Sequence, residues 1–282
     1  MDKLIFSIAI GMDPAYVYGI KSISNYAKRV NADFLLVNKP VYQEFKTIKK
    51  LESQYVACLQ KMYCKELLKQ YSRVLYLDSD IIVSPQARDI FQHCPDETAV
   101  YIFNEGQLDS LDRTKTVQEI IKTYALDKTW PEYNGKPFYG NAGVMLFSSK
   151  SLPLGNATLE GCLWWANQGL SYFEQSYLNY VFVRDGVKLI PLESRFNYTS
   201  ASGPPEDRFS QDFIHYAGYS FRTKKTRRYK IMRKDFYTLY PGSRLERTSR
   251  IWIDGSKQLY WSLYKKLFKL RRRLRGSTHT ST

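Results

Sequence analysis

The stretch that best indicates the fold is an apolar run followed by two acids and a second apolar run: Val74-Leu75-Tyr76-Leu77-Asp78-Ser79-Asp80-Ile81-Ile82-Val83. Continuous apolar residues are typical of a strand buried on both faces of a parallel sheet. Because residues i and i+2 of a strand point to the same side, Asp78 and Asp80 can present two carboxylates together where the strand ends. Ligands of open α/β sheets bind at that end, and a divalent cation would relieve the repulsion between the acids. The pair therefore predicts a metal site, although two solvated turn residues would also explain an isolated Asp-x-Asp.

Similar apolar runs recur along the chain and alternate with helical patterns. Strands are predicted at residues 4–10, 34–37, 73–77, 98–103, 142–147 and 187–190, and strand-like sequence resumes at 213–216. Helices are predicted at residues 14–30, 53–70 and 174–184. This alternation predicts an α/β fold with a Rossmann-like, doubly wound mixed sheet and right-handed crossovers. We expect a single domain over residues 1–240 and a basic helical extension over residues 241–282.

The distribution of charge separates the body of the chain from its end. The 282 residues are 44% apolar, which excludes disordered and collagenous classes. Residues 1–214 contain 23 Lys and Arg against 24 Asp and Glu, a balance of −1, whereas residues 215–282 contain 19 against 3, a balance of +16. The neutral body argues against a nucleic-acid-binding protein. The basic end predicts a local contact with anions such as membrane phosphates, or a solvated tail.

The N-terminus and the cysteines bear on the compartment. No apolar run approaches the roughly 18 residues of a membrane-spanning helix, and no signal-peptide cleavage site follows the first strand. We therefore expect a cytoplasmic, unprocessed chain. The four cysteines have no repeated metal-ligand spacing, so buried free thiols are expected at Cys58, Cys64, Cys94 and Cys162.

Five further features accompany the acidic pair. In chain order they are Asp13-Pro14-Ala15-Tyr16-Val17-Tyr18-Gly19, then Lys61 seventeen positions before Asp78, then Tyr139-Gly140-Asn141-Ala142-Gly143-Val144-Met145-Leu146-Phe147, Phe173-Glu174-Gln175-Ser176-Tyr177-Leu178-Asn179 and Phe213-Ile214-His215-Tyr216-Ala217-Gly218. Over residues 4–225 this ordered set resembles glycosyltransferase family 8, the glycogenin-like and lipopolysaccharide galactosyltransferase-like enzymes of GT-A fold.

The resemblance implies a set of nucleotide-sugar contacts. Tyr16 takes the place of an aromatic residue that stacks on uracil, and Lys61 that of a basic residue that reaches the nucleotide sugar. An ordinary solvated helix lysine is the alternative for Lys61. Further contacts to the nucleotide are implied for Ile10, Asp13, Ser79 and Gly218.

The same resemblance implies residues beside the transferred sugar. Asn141 offers amide donors and an acceptor to sugar hydroxyls, and Gly143 permits close backbone approach, although Asn-Ala-Gly is equally a turn before a strand. Gln175 lies at the position near the anomeric centre. Glu174 replaces the family's Asp and lengthens that acid by one methylene. The alternative for this segment is a helix N-terminus with an acid in its first turn.

The third metal ligand is implied by the His-x-x-Gly match. His215 would complete a site with Asp78 and Asp80, and two carboxylates with a neutral imidazole suit Mn²⁺ or Mg²⁺ and leave positions for diphosphate oxygens. The family continues to Lys-Pro-Trp six residues after the histidine, where this chain has Phe221-Arg222-Thr223-Lys224-Lys225. The phosphate-binding lysine is therefore replaced, with Arg222, Lys224 and Lys225 as candidates, and Lys224 is preferred.

The resemblance implies transfer of a hexose from a UDP-sugar to a hydroxyl of a glycan or glycolipid acceptor, with the metal stabilising the leaving diphosphate. The resemblance also implies retention of anomeric configuration. One alternative is a basic nucleic-acid-binding protein. Another is a nucleotidyltransferase, although the sequence contains neither a second acidic cluster nor a phosphate-binding Gly-rich loop.

A basic amphipathic segment lies near the C-terminus, at residues 259–275. Its apolar residues share roughly half of a helical cylinder, and five cations fill the opposite face. This pattern predicts a helix on an anionic membrane surface, which would place the enzyme on the cytoplasmic face. A helix packed on the domain with a solvated basic face is the alternative.

Overall fold

The computed structural model describes residues 2–10, 16–42, 53–151, 154, 156–158, 160–162, 164, 172–222 and 227–242. Asp13, Lys224, Lys225 and the predicted helix at 259–275 lie outside these residues. The chain divides into two compact units, Met1–Phe236 and Tyr237–Thr282. Only residues 237–242 of the second unit are described. The predicted division between residues 240 and 241 stays a prediction.

Short strands and helices alternate through the described chain. The strands are β1 (Lys3–Ile8), β2 (Asp33–Val37), β3 (Arg73–Asp78), β4 (Ile81–Val83), β5 (Val100–Asn104), β6 (Glu132–Tyr133), β7 (Lys136–Pro137), β8 (Gly140–Ser148), β9 (Leu189–Pro191) and β10 (Phe213–His215). The helices are α1 (Tyr16–Arg29), α2 (Ser53–Leu59), α3 (Cys64–Leu67), α4 (Ile90–His93), α5 (Thr114–Tyr124), α6 (Phe173–Arg184) and α7 (Arg228–Leu239). None of these helices has the length and apolar character needed to cross a bilayer.

Six strands form the central sheet in the order β2-β1-β3-β8-β5-β9. β1 runs parallel to β2 and β3, β9 runs parallel to β5, and β8 is antiparallel to both of its neighbours. This arrangement confirms the predicted mixed α/β fold. The predicted strands are present, with ends that differ by a few residues.

Both faces of the sheet are covered, which explains the continuous apolar runs. Along β3, Val74 and Tyr76 belong to one buried cluster, whereas Leu75 and Leu77 belong to a second cluster on the opposite face. All nine residues of β8 are buried. Because alternate side chains of a strand point to opposite faces, two covered faces favour apolar residues at successive positions.

A separate two-stranded sheet brings distant parts of the chain together. β4 pairs with β10 in antiparallel orientation, and His215 lies opposite Ile81 in this register. The turn before β4 contains Asp80, so the pairing carries His215 to the acidic pair. Gly19 of α1 packs against the same turn, where a Cβ atom would lie 2.0 Å from the Ser79 carbonyl oxygen.

The helix predicted over residues 53–70 is broken, and that prediction is wrong in its continuity. A 3₁₀ segment, Gln60–Tyr63, separates α2 from α3. The side-chain oxygen of Gln60 accepts hydrogen bonds from the backbone N–H groups of Val41 (2.8 Å) and Tyr42 (2.9 Å). These contacts with the loop at residues 41–42 favour a tighter turn at Gln60. The helical pattern of residues 53–70 contains no sign of them. Helices α4, α5 and α7 were not among the sequence predictions.

The cysteines follow the predicted pattern with one exception. All four are free thiols, and Cys64, Cys94 and Cys162 are buried. Cys58 is only partly buried. Burial raises the pKa of the Cys94 thiol to about 12, so this thiol is protonated at neutral pH.

Candidate active site

Three predicted metal ligands converge at the end of β3. Asp78 is the last residue of β3, Asp80 lies in the turn that follows, and His215 ends β10. His215 Nε2 lies 3.3 Å from Asp80 Oδ1 and 3.7 Å from Asp78 Oδ2. One ligand atom from each residue lies within 4.8 Å of the other two, a spacing that could hold one metal ion.

The imidazole of His215 is oriented by a chain of amides. Its Nδ1 lies 2.7 Å from Asn197 Oδ1, and Asn197 Nδ2 donates to Asn141 Oδ1 at 2.8 Å. Since the Asn197 oxygen is an acceptor, His215 donates through Nδ1–H, and its Nε2 atom faces the carboxylates, where it could ligate a metal ion. Gly143 makes room for the ring, because a Cβ atom there would lie 2.2 Å from His215 Cε1. The donor set fits Mn²⁺ or a similar divalent ion.

Asp80 is a buried carboxylate surrounded by cations. Burial by itself raises the pKa of Asp80, but the hydrogen bond and charge of His215, with the charges of Arg228 and Lys61, outweigh burial and hold that pKa below its usual range. Arg228 Nη1 lies 2.8 Å from Asp80 Oδ2. The group is therefore ionised at neutral pH, as metal ligation requires.

Lys61 links Asp78 to the start of α6. Its Nζ lies 3.3 Å from Asp78 Oδ1 and 3.1 Å from Glu174 Oε1, and it donates to the Ala142 carbonyl at 3.0 Å. Burial lowers the pKa of Lys61, but Asp78 and Glu174 raise it by more, so the side chain stays charged. The side chain is only 4% exposed, so the alternative of an ordinary solvated helix lysine is wrong. Tyr76 Oη also donates to Asp78 Oδ1 at 2.5 Å.

A second buried network holds the amides of Asn141 and Gln175. Asn141 Nδ2 donates to Glu105 Oε1 at 2.6 Å, and Gln175 Nε2 donates to Glu105 Oε2 at 3.3 Å. Gln175 Oε1 accepts from the backbone N–H of Ala142 at 3.0 Å. Arg113 completes the network with an Nη2 to Glu105 Oε2 distance of 2.7 Å. Both amide groups are therefore fixed in orientation.

Glu105, Arg113, Asn197 and Arg228 belong to these networks but were not predicted from the sequence as site residues. Glu105 directly follows the carboxyl end of β5, so the rule that singled out Asp78 could have found it. Arg113 and Asn197 are polar residues outside regular strands, and no local pattern distinguishes them from surface residues. Arg113 also lies over the Tyr172 ring, with its guanidinium carbon 4.2 Å from the ring centroid.

Four of the predicted nucleotide contacts, Ile10, Tyr16, Ser79 and Gly218, are among the described residues. Ile8 is opposite Asp78 in the register of β1 and β3, so Ile10 follows a strand that ends beside the acidic pair. Tyr16 begins α1 and is half-buried. Ser79 is buried between the two acids, and Gly218 has a φ of +52° with open space where a Cβ would stand. The Nη2 of Arg222 donates to the Gly218 carbonyl.

Several solved structures of glycosyltransferases have a similar fold. A glycosyltransferase involved in glycosylation of the major capsid of PBCV-1 superposes with a TM-score of 0.51 and 17% identity over 83% of this chain and 100% of that chain. The galactosyltransferase LgtC, in complex with donor and acceptor sugar analogs, superposes with a TM-score of 0.52 and 19% identity. The match covers 87% of this chain and 99% of LgtC. The bifunctional glycosyltransferase WbbM superposes with a TM-score of 0.52 and 15% identity, over 85% of this chain and 51% of WbbM. The fold is that of GT-A glycosyltransferases.

The sequence identifies the family within this class. The profile of glycosyl transferase family 8 matches residues 17–222, a range that contains Lys61, the acidic pair, Gln175 and His215. The chain belongs to this family and is a glycosyltransferase, as the motif order predicted. A comparison with curated protein sequences found no significant match.

Proposed function

We propose that this enzyme is a metal-dependent, retaining glycosyltransferase that moves a hexose from a UDP-sugar to a hydroxyl of a glycan or glycolipid. The observation that carries the proposal is the convergence of Asp78, Asp80 and His215 at the end of β3. The fixed amides of Gln175 and Asn141 are joined to this group through Asn197. Metal residues and sugar-binding amides therefore belong to one connected network.

Each metal-binding residue has a distinct task in this proposal. Asp78 and Asp80 supply negative charge, and His215 supplies a neutral nitrogen that Asn197 keeps in the required tautomer. A bound divalent cation would stabilise the charge that develops on the departing diphosphate. Tyr76 and Lys61 orient Asp78, so one carboxylate oxygen is held before any ligand binds.

Residues of α6 would act on the transferred sugar. Gln175 is held between the Ala142 N–H and Glu105, and we assign it a place near the anomeric carbon. A neutral amide is a weak nucleophile, so the proposal favours front-side attack through an oxocarbenium-like ion pair over a covalent glycosyl-enzyme. Glu174, paired with Lys61, would position a sugar hydroxyl.

A panel of UDP-, GDP- and CDP-sugars, each incubated with Mn²⁺, tests the proposed donor class. We expect hydrolysis of UDP-sugars alone, release of UDP, a product sugar with the donor's anomeric configuration by proton NMR, and loss of turnover on chelation. Release of a sugar 1-phosphate, with transfer of the nucleoside monophosphate, would support a nucleotidyltransferase instead. Turnover that is indifferent to chelation would contradict metal dependence.

Replacing Tyr16 with alanine is expected to weaken UDP binding about tenfold, because stacking on a base contributes on the order of 1–3 kcal/mol. Calorimetric titration with UDP, in Mn²⁺, measures this change. Tyr16→Phe keeps the ring and should bind UDP as the native chain does. Pyrophosphate has no base, so its affinity should be the same in all three proteins. Equal UDP affinity in Tyr16→Ala would show that the tyrosine serves the fold.

The proposal extends to a peripheral position on the cytoplasmic membrane face, beside a lipid-linked acceptor. It rests on the seven Lys and Arg of the amphipathic segment at residues 259–275, since each cation near an anionic leaflet contributes on the order of 1 kcal/mol. Sedimentation with vesicles of increasing anionic lipid content should carry down the full chain and leave a chain that ends at Ser256 in solution. Equal binding by the two chains would contradict this position.

A further inference from the structure

Arg228 makes an ion pair with a predicted metal ligand. It is the first residue of α7, and its Nη1 lies 2.8 Å from Asp80 Oδ2. The other oxygen of the same carboxylate, Oδ1, faces His215 Nε2 at 3.3 Å. A guanidinium and the metal position therefore share one carboxylate group. This arginine was not among the residues predicted from the sequence.

The ion pair does not satisfy the whole guanidinium group. The Nε of Arg228 is buried and has no hydrogen-bond partner among the residues that the structure describes. The side chain as a whole is 26% exposed, so a ligand can reach it. No acidic residue occupies the first turn of α7, where the backbone dipole favours an anion and opposes a cation. The position of Arg228 therefore combines an unused donor with excess positive charge.

Metal binding at Asp80 would weaken the ion pair between Asp80 and Arg228, so Arg228 would need another anionic partner. A dication held by Asp80 would withdraw negative charge from the ion pair and leave two cationic groups on one carboxylate. Their repulsion is relieved when an anion with several oxygens lies between them. A guanidinium suits this task, because its planar fork matches phosphate geometry with two hydrogen bonds.

The neighbouring cations are committed to other contacts. Lys61 is held by Asp78, Glu174 and the Ala142 carbonyl. The guanidinium of Arg222 donates to the Gly218 carbonyl and lies 5.4 Å from the Tyr219 ring centroid. Among the described Lys and Arg side chains, Arg228 is the one that contacts Asp80 directly.

We propose that Arg228 binds the diphosphate of the nucleotide sugar and exchanges Asp80 for phosphate oxygens when metal and diphosphate enter the site. The proposal rests on the proposed function and assigns to Arg228 the role for which Arg222, Lys224 and Lys225 were candidates. In the metal-free enzyme, Arg228 competes with the metal for Asp80. In the loaded enzyme, it adds to the affinity for diphosphate, so the two ligands bind cooperatively.

Two calorimetric titrations of each protein test this exchange: Mn²⁺ alone, and inorganic pyrophosphate in saturating Mn²⁺. Arg228→Gln should bind Mn²⁺ about threefold to tenfold more tightly than the native chain, because a competing cation is gone. It should bind pyrophosphate about tenfold to a hundredfold more weakly, because charge-assisted hydrogen bonds are lost. Opposite changes for the two ligands are the signature of the exchange.

Two further variants separate this role from a structural one. Lys230→Gln removes the same charge from an exposed side chain two residues along α7 and should leave both affinities unchanged. Arg228→Lys keeps the charge without the fork and should weaken pyrophosphate binding less than Arg228→Gln does. Thermal unfolding of each variant checks that the fold is intact.

The outcomes distinguish this proposal from the proposed function. If the native chain binds Mn²⁺ and pyrophosphate but Arg228→Gln binds pyrophosphate equally well, the assignment of Arg228 is wrong and the metal-dependent function stands. Weaker binding of Mn²⁺ by Arg228→Gln would also overturn the exchange. A native chain that binds no Mn²⁺ would overturn both proposals.

Discussion

Replacing Asp80 with asparagine is expected to eliminate Mn²⁺ binding and to lower sugar transfer by about a thousandfold or more. The carboxylate lies 3.3 Å from His215 Nε2, so an amide at this position would remove a charged oxygen from the proposed ligand group. Loss of one electrostatic group that stabilises transition-state charge reduces turnover by roughly 100- to 1,000-fold, and loss of the metal adds to that effect. Calorimetry with Mn²⁺ and donor hydrolysis measure the two consequences separately.

Asp109→Asn is the matched control for this change. Asp109 is 99% exposed and pairs with Lys136 at the surface, where ion pairs contribute little to stability. This variant should retain Mn²⁺ affinity and turnover. Full activity in Asp80→Asn, with unaltered dependence on Mn²⁺, would show that the metal assignment is wrong.

The largest effect on stability is expected for Glu105→Gln, which should lower the free energy of unfolding by about 3 kcal/mol. The carboxylate of Glu105 accepts hydrogen bonds from Asn141, Gln175 and Arg113. A glutamine would place an NH₂ group against one of these donors and leave the guanidinium of Arg113, only 8% exposed, without a counter-charge. Urea denaturation measures the loss.

The same substitution should also reduce transfer, because the orientations of Gln175 and Asn141 depend on Glu105. Mn²⁺ affinity should change much less, since the three proposed ligands keep their own contacts. Glu66→Gln provides the control, because Glu66 pairs with Lys69 on an exposed helix surface. An unfolding free energy in Glu105→Gln equal to that of the control would contradict a stabilising role for the buried pair.

The sheet was predictable because its strands are buried on both faces. Runs such as residues 74–77 and 144–147 need no pairing information to be recognised, since every position is apolar. The acidic pair was predictable for a related reason. Two charges at the end of an apolar strand contrast with their surroundings, and the period of a strand places both on one side.

Glu174 and Gln175 were found through motif order, and their roles stay proposals. Their surroundings could not be predicted from sequence. Lys61 lies in a helical sequence pattern that suggests a solvated side chain. In the structure it belongs to the 3₁₀ segment Gln60–Tyr63, and its side chain is buried against Asp78 and Glu174. Helix periodicity reports only local neighbours, so such a reversal has no local signal.

The sequence by itself determined the class of fold, the family and the identity of three proposed metal ligands, because continuous burial and fixed motif order are written into neighbouring residues. Only the tertiary structure decided which groups support them. Asn197 contacts His215, 18 residues further along the chain, and Glu105 contacts Asn141, 36 residues further along. Arg228, at the start of α7, contacts Asp80 in the turn after β3. Such contacts depend on strand order and on the β4–β10 pairing, which no periodicity along the chain encodes.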